Sequence, residues 1–160
     1  MIPRPNSENV ATHREPVWRD ASDFLILVDL QAHDLPGHWE QLWVRRLQDE
    51  TFQLCCIPFY TYGLSLGDIV EATSDDGGAV VLRRLVRASG HRTVRAALRR
   101  NAPEPVHSAL HEIVSDLGVP HEWKAGGFVA IDAADRRVVD LVRERLSPLE
   151  VGGLIEVEVG

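Results

Sequence analysis

The apolar pattern of this chain changes period once, close to residue 100, and that change limits the fold more than any other feature. From Phe24 to Leu98, short apolar and β-branched runs alternate with turn residues, the pattern of strands rather than helices. Phe24-Leu25-Ile26-Leu27-Val28-Asp29-Leu30 reads as a strand buried on both faces. Trp39 to Leu47 and Thr51 to Ile57 flank Asp49-Glu50 and read as a hairpin. Pro58 ends that ladder because it has no amide proton to donate. Asp68 to Ala72, Ala79 to Ala88 and Arg92 to Leu98 follow, separated by Asp75-Asp76-Gly77-Gly78 and Ser89-Gly90. Six short strands in about seventy-five residues predict a small, strongly curved sheet or barrel.

Beyond Pro103 and Pro105 the period becomes helical. Val106, Leu110, Ile113, Val114 and Leu117 share one face, and Gly118 with Pro120 makes a stop. His121 to Lys124 and Phe128 to Ile131 flank Ala125-Gly126-Gly127 as a hairpin. Asp132 is the expected N-cap of a second helix, with Val138, Val142 and Leu146 on one face and Pro148 at its end. A strand with alternating acids, Leu154 to Val159, closes the chain. Counted from Arg92, the order is β-α-β-β-α-β, the split-βαβ order of ferredoxin-like folds. The expected fold is therefore α+β. A small curved β-sheet or barrel over residues 22–90 precedes a ferredoxin-like βαββαβ unit over 91–160. Pro3, Pro5 and Pro16 with no apolar periodicity mark residues 1–21 as a flexible tail.

Composition narrows the setting. A 44% hydrophobic and 26% charged chain of 160 residues has the balance of a soluble globular domain. There is no apolar run of membrane-spanning length and no signal-peptide core near Met1, so a cytoplasmic location is expected. Cys55 and Cys56 are adjacent, point to opposite faces of a strand, and are expected as two partly buried thiols rather than a bridge or a zinc site. No cofactor is expected. The net charge of −7 is uneven: residues 51–102 hold seven arginines against four acids, and residues 103–160 hold eleven acids against five bases. Such a balance disfavours non-specific nucleic-acid binding and suits a basic protein partner.

Several constellations are candidates for function. Glu104, Glu112, Asp116 and Glu122 are the acids expected to meet a basic partner. Ser89, His91 and Arg92, with Tyr60, would line a cleft between the subdomains if the protein were a small enzyme or a ligand-binding regulator. No acid stands at a useful sequence spacing to orient His91, so a hydrolase triad is not expected. Asp68 after Gly67 reads as a turn residue that bonds local backbone. His107 and His111 lie four residues apart on the first helix, with His121 beyond it, which makes a candidate metal set. Glu112 follows the second histidine, so the His-Glu-x-x-His order is absent. Arg83, Arg84, Arg87, Arg92, Arg95, Arg99 and Arg100 form a basic stripe that, with Tyr60 and Tyr62, would suit a single nucleic-acid strand.

Two stretches are more distinctive than any of these: Cys56-Ile57-Pro58-Phe59-Tyr60-Thr61-Tyr62-Gly63-Leu64-Ser65-Leu66-Gly67-Asp68-Ile69-Val70-Glu71, and Ser89-Gly90-His91-Arg92-Thr93. Together with the tryptophan-bearing strand Trp39 to Trp43 they resemble the uncharacterised bacterial family numbered 4265 in the domain-of-unknown-function series. An acidic or amide pair is expected before the Ile-Pro-Phe block, where this chain has Cys55-Cys56. The resemblance implies no catalytic residues. By analogy of size and form with bacterial immunity proteins, it implies a non-catalytic binding protein that inhibits a protein partner. The oligomeric state is left open.

Overall fold

In the computed structural model, which describes residues 4–160, the described residues form ten strands in two sheets and two α-helices. The first sheet closes on itself. Strand β1 (Val10–Ala11) precedes β2 (Phe24–Asp29), β3 (Trp39–Gln48), β4 (Thr51–Leu54), β5 (Ile69–Ser74) and β6 (Val80–Arg87). β3 pairs antiparallel with both β2 and β4, β4 with β5 and β5 with β6, and β2 meets β6 in parallel at Leu27 and Val81. Register shifts in the β3–β4 and β5–β6 ladders supply the curvature that strands this short need to close. The enclosed core holds Ile26, Val28, Leu42, Val44, Phe52 and Leu54, alternate residues of their strands. A closed ring buries one face of each strand, so Leu25 stays 40% exposed and β2 is not buried on both faces as its apolar run suggested.

Residues 4–21 also depart from expectation, and residues 1–3 of the expected tail lie outside the described residues. β1 pairs in parallel with Trp39 and Glu40 of β3. Beyond it a strap crosses the molecule. His13 and Pro16 are buried, and Val17 and Trp18 pack on Ile57, Phe59, Leu66 and Ala130. The Trp18 N–H donates to the Cys55 carbonyl. Prolines suit such an extended strap, and its contacts come one side chain at a time, which leaves no period to read.

The second unit follows without a linker: β7 (Arg92–Leu98), α1 (Glu104–Leu117), β8 (His121–Lys124), β9 (Phe128–Ala133), α2 (Arg136–Val151) and β10 (Ile155–Val159). The sheet order is β10-β7-β9-β8 with every neighbouring pair antiparallel, so the two βαβ halves interleave. Val106, Leu110 and Val114 of α1 and Val139, Val142 and Leu146 of α2 cover one face of it. Asp135, not Asp132, caps α2, its carboxylate accepting the Val138 N–H at 3.0 Å. Asp132 remains in β9 and points the other way. Pro148 falls inside the last turn of α2, which runs on to Val151. Among the described residues no helix is long and apolar enough to cross a membrane.

Strand alternation turns Thr93, Arg95, Glu122, Ala130 and Asp132 away from the helices and onto the barrel and strap. The contact between the units is therefore rich in charge.

Candidate functional site

The distinctive loop 57–62 lies at this contact, and buried charges hold it on both sides. Glu40, fully buried on β3, takes its amide protons. Its carboxylate accepts from the N–H groups of Phe59 (2.6 Å), Tyr60 (3.0 Å) and Thr61 (2.8 Å) and from the Thr61 hydroxyl (2.7 Å). Arg95 of β7 takes the carbonyls, donating to Phe59 (2.7 Å), Pro58 (3.0 Å) and Thr61 (3.3 Å). A loop without a ladder must satisfy its backbone groups somewhere when buried, and here two ions of opposite sign do so. Glu122 of β8 accepts the N–H of Ile57 at 2.5 Å.

His13 joins the two carboxylates. Its Nδ1 lies 2.8 Å from Glu122 and its Nε2 3.0 Å from Glu40, and its ring stacks on Phe59 at 4.3 Å. Both ring nitrogens face acceptor-only groups, so both carry protons and His13 is an imidazolium. Burial works against that charge, but the adjacent Cys56 sulfur and the Glu122 and Glu40 carboxylates outweigh it and raise the His13 pKa well above the usual 6.5. Burial pushes the Cys56 thiol up, against the lowering effect of the His13 charge and hydrogen bond. Burial also works to raise the Glu40 pKa, but the bond to His13 and its charge, with the bonds from Thr61 and Phe59, bring it below its ordinary value. Two carboxylates are thus matched by one imidazolium and one guanidinium. Strap, barrel and helical unit meet in one charge-balanced junction.

A second junction links the two motif stretches. Asp68 accepts the N–H of Ser65 (2.8 Å) and of Ser89 (2.7 Å), and the Ser89 hydroxyl donates to the Leu66 carbonyl at 2.7 Å. Gly67 has φ +83° here, with Trp18 and Ser89 pressed against the place a Cβ would take. Asp68 does bond local backbone, and it reaches the second motif as well.

The other sequence candidates are dispersed. His91 is oriented after all: Asp132 lies 2.9 Å from its Nδ1, supplied by β9 from 41 residues away. Burial raises the Asp132 pKa, against the bond from His91. The Ser89 hydroxyl donates to the Leu66 carbonyl, Arg92 donates toward the Gly160 carbonyl, and Tyr60 stacks on Phe128 near the strap. His107 faces the Ala102 carbonyl, His121 the Val119 carbonyl, and His111 stacks on Trp123 at 3.8 Å. No group of three potential metal ligands forms among the described residues. In the arginine stripe, Arg95 is buried in the junction, Arg84 pairs with Glu71 and Arg99 with Glu156, while Arg83, Arg87, Arg92 and Arg100 are exposed. Cys55 and Cys56 are free and buried, and burial carries the Cys55 thiol to about 11. Of the four acids, Glu104, Glu112 and Asp116 are exposed on α1. Glu122 is not at the surface, because the junction requires its carboxylate.

Glu40 and His13 escaped the sequence reading. Glu40 had a legible signal: it stands in phase with Leu42 and Val44, an acid at an inward position of a strand. His13 had none, since its partners lie 27 and 109 residues away.

Beside the junction a cleft of roughly 570 Å³ opens between the strap residues Thr12, Arg14 and Glu15, His111 of α1 and the outer edge of β8.

A family described as a domain of unknown function (DUF4265) matches residues 40–157, a span that includes Glu40, the 57–62 loop, Asp68, Arg95 and Glu122. A crystal structure described as that of a hypothetical protein from Neisseria gonorrhoeae is similar at a TM-score of 0.64 and 18% identity, over 84% of this chain and 91% of that one. At that identity the likeness concerns the fold alone. No curated protein matches the chain significantly.

Proposed function

The chain belongs to the DUF4265 family, and from that premise we propose that it is a non-catalytic binding protein that inhibits a basic protein partner, as immunity proteins do. The ridge of α1 carries this reading. Glu104, Glu112 and Asp116 stand four, eight and twelve residues apart, which spreads them over about 120° of the helix circumference, and all three are exposed. α1 contains no lysine or arginine, and among the described residues none of the three acids takes part in an ion pair. An unneutralised ridge of one sign steers a basic surface toward it and occludes that surface on contact. The buried junction supports the reading by holding α1's sheet firmly on the barrel. The test is capture from bacterial cytoplasm at low salt with the chain and with a Glu104→Lys, Glu112→Lys, Asp116→Lys variant. A stoichiometric basic protein released by salt and lost in the variant is expected. Retention by the variant would overturn the proposal.

A second reading, a small enzyme or ligand-binding regulator, is favoured by one observation. Asp132 fixes the half-buried His91 ring by Nδ1, an arrangement that suits an imidazole working through Nε2. It expects His91→Ala to abolish an activity or ligand affinity with an almost unchanged melting temperature. A large loss of stability would make the pair a structural tie.

A further inference from the structure

The cleft beside the junction has a strand edge as one wall. β8 is the last strand in the order β10-β7-β9-β8: one edge is bonded to β9, and the other pairs with no described strand and opens on the cleft. Exposed strand edges invite pairing, and proteins usually cover them. Here the strap passes close by without covering the edge. Its β1 segment pairs with β3, and His13 reaches Glu122 through side chains only. Arg14, Lys124, His111 and His121 also line the cleft. Of the two acids there, Glu122 is already bound to His13 and Ile57, which leaves Glu15 against two permanent cations and two imidazoles.

We propose that β8 is a docking edge for an extended acidic segment of a protein partner, which adds to the sheet as a fifth strand. Main-chain bonds to β8 would hold the segment, and carboxylates set against Arg14 and Lys124 would select it. The four residues of β8 span about 13 Å at the usual strand rise, so a segment of about five residues fills the edge. The cleft volume lies in the ordinary range for bound ligands. This site is distinct from the α1 ridge and opposite to it in charge, so it is independent of the inhibitor reading.

The probe is a fluorescein-labelled Glu-Val-Glu-Val-Glu peptide, titrated at low salt against the full chain by anisotropy, with amide hydrogen exchange measured in parallel. Saturable binding is expected, weakened about tenfold or more by Arg14→Glu and by Lys124→Glu, with slowed exchange in residues 121–124. Arg14 is exposed, so its variant remains informative even if Lys124→Glu, which disturbs the contact of Lys124 with the Tyr60 ring, does not fold. The α1 triple variant, which adds positive charge on the helix that carries His111, should bind the peptide at least as tightly, which separates failure of this proposal from failure of the other. The proposal is overturned by absent binding, by equal binding of a Lys-Val-Lys-Val-Lys peptide, or by protection elsewhere than β8. Self-association through this edge in light scattering without peptide would equally overturn it, with a second copy as the occupant.

Discussion

Replacing His13 with alanine tests the junction most severely. The variant leaves Glu40, with no solvent exposure, and Glu122, at 3%, without the cation that bridges them, and removes the ring stacked on Phe59. Removing one partner of a buried ion pair costs about 3–5 kcal/mol. Glu40 keeps its three backbone N–H donors and the Thr61 hydroxyl, which places the loss at the low end, about 3 kcal/mol. For a chain of this size that is a fall in Tm of roughly 6–12 °C. Urea unfolding followed by far-ultraviolet circular dichroism at pH 7 measures it. The mechanism makes a sharper demand: if the loss comes from stranded negative charge, Glu40→Gln should harm the His13→Ala protein much less than it harms the native one. A loss under about 1 kcal/mol in His13→Ala, or additive effects in the double variant, would refute the reasoning.

Two further outcomes follow from the same geometry. The raised pKa of His13 gives stability that is complete below its ordinary value of 6.5 and fades as pH rises through the folded value. The lowered pKa of Glu40 gives stability that is present above its ordinary 4.5 and fades as pH falls through the folded value. Denaturant midpoints against pH should therefore decline on both sides of a plateau between those two values, and the alkaline decline should vanish in His13→Ala; an unchanged alkaline limb would contradict the assignment. In the β8–β9 turn, Gly126 and Gly127 both have positive φ, but a Cβ on Gly127 would collide with Leu98 while one on Gly126 meets open space. Gly127→Ala should lose about 2–4 kcal/mol and Gly126→Ala about 1–2 by urea denaturation, and equal losses would count against the packing described.

The parts of the fold that sequence made legible are those whose signal is local. β7 begins and ends where its turn residues place it, at Arg92 and Leu98, and α1 runs from its prolines to Gly118. The order of elements from Arg92 onward follows from the same periodicities. What escaped depends on distant partners. Asp132 resembled a helix cap because nothing local shows that β7 and β9 pair and bring it to His91. Pro148 resembled a stop because the sequence does not show that it falls within the last turn. The strap resembled a tail because its anchors, His13 and Trp18, act singly. The motif loop was visible as a motif, yet its purpose lay in Glu40 and Arg95, which lie outside it and hold its two sets of backbone groups.

The protonation state of His13 tests the account most directly, because an imidazolium held between two buried carboxylates is what joins strap, barrel and helical unit. Long-range ¹⁵N–¹H correlation of the histidine rings at pH 8 reads it. Two protonated ring nitrogens on His13 are the expected result. A neutral His13 with one protonated nitrogen would contradict the junction as described.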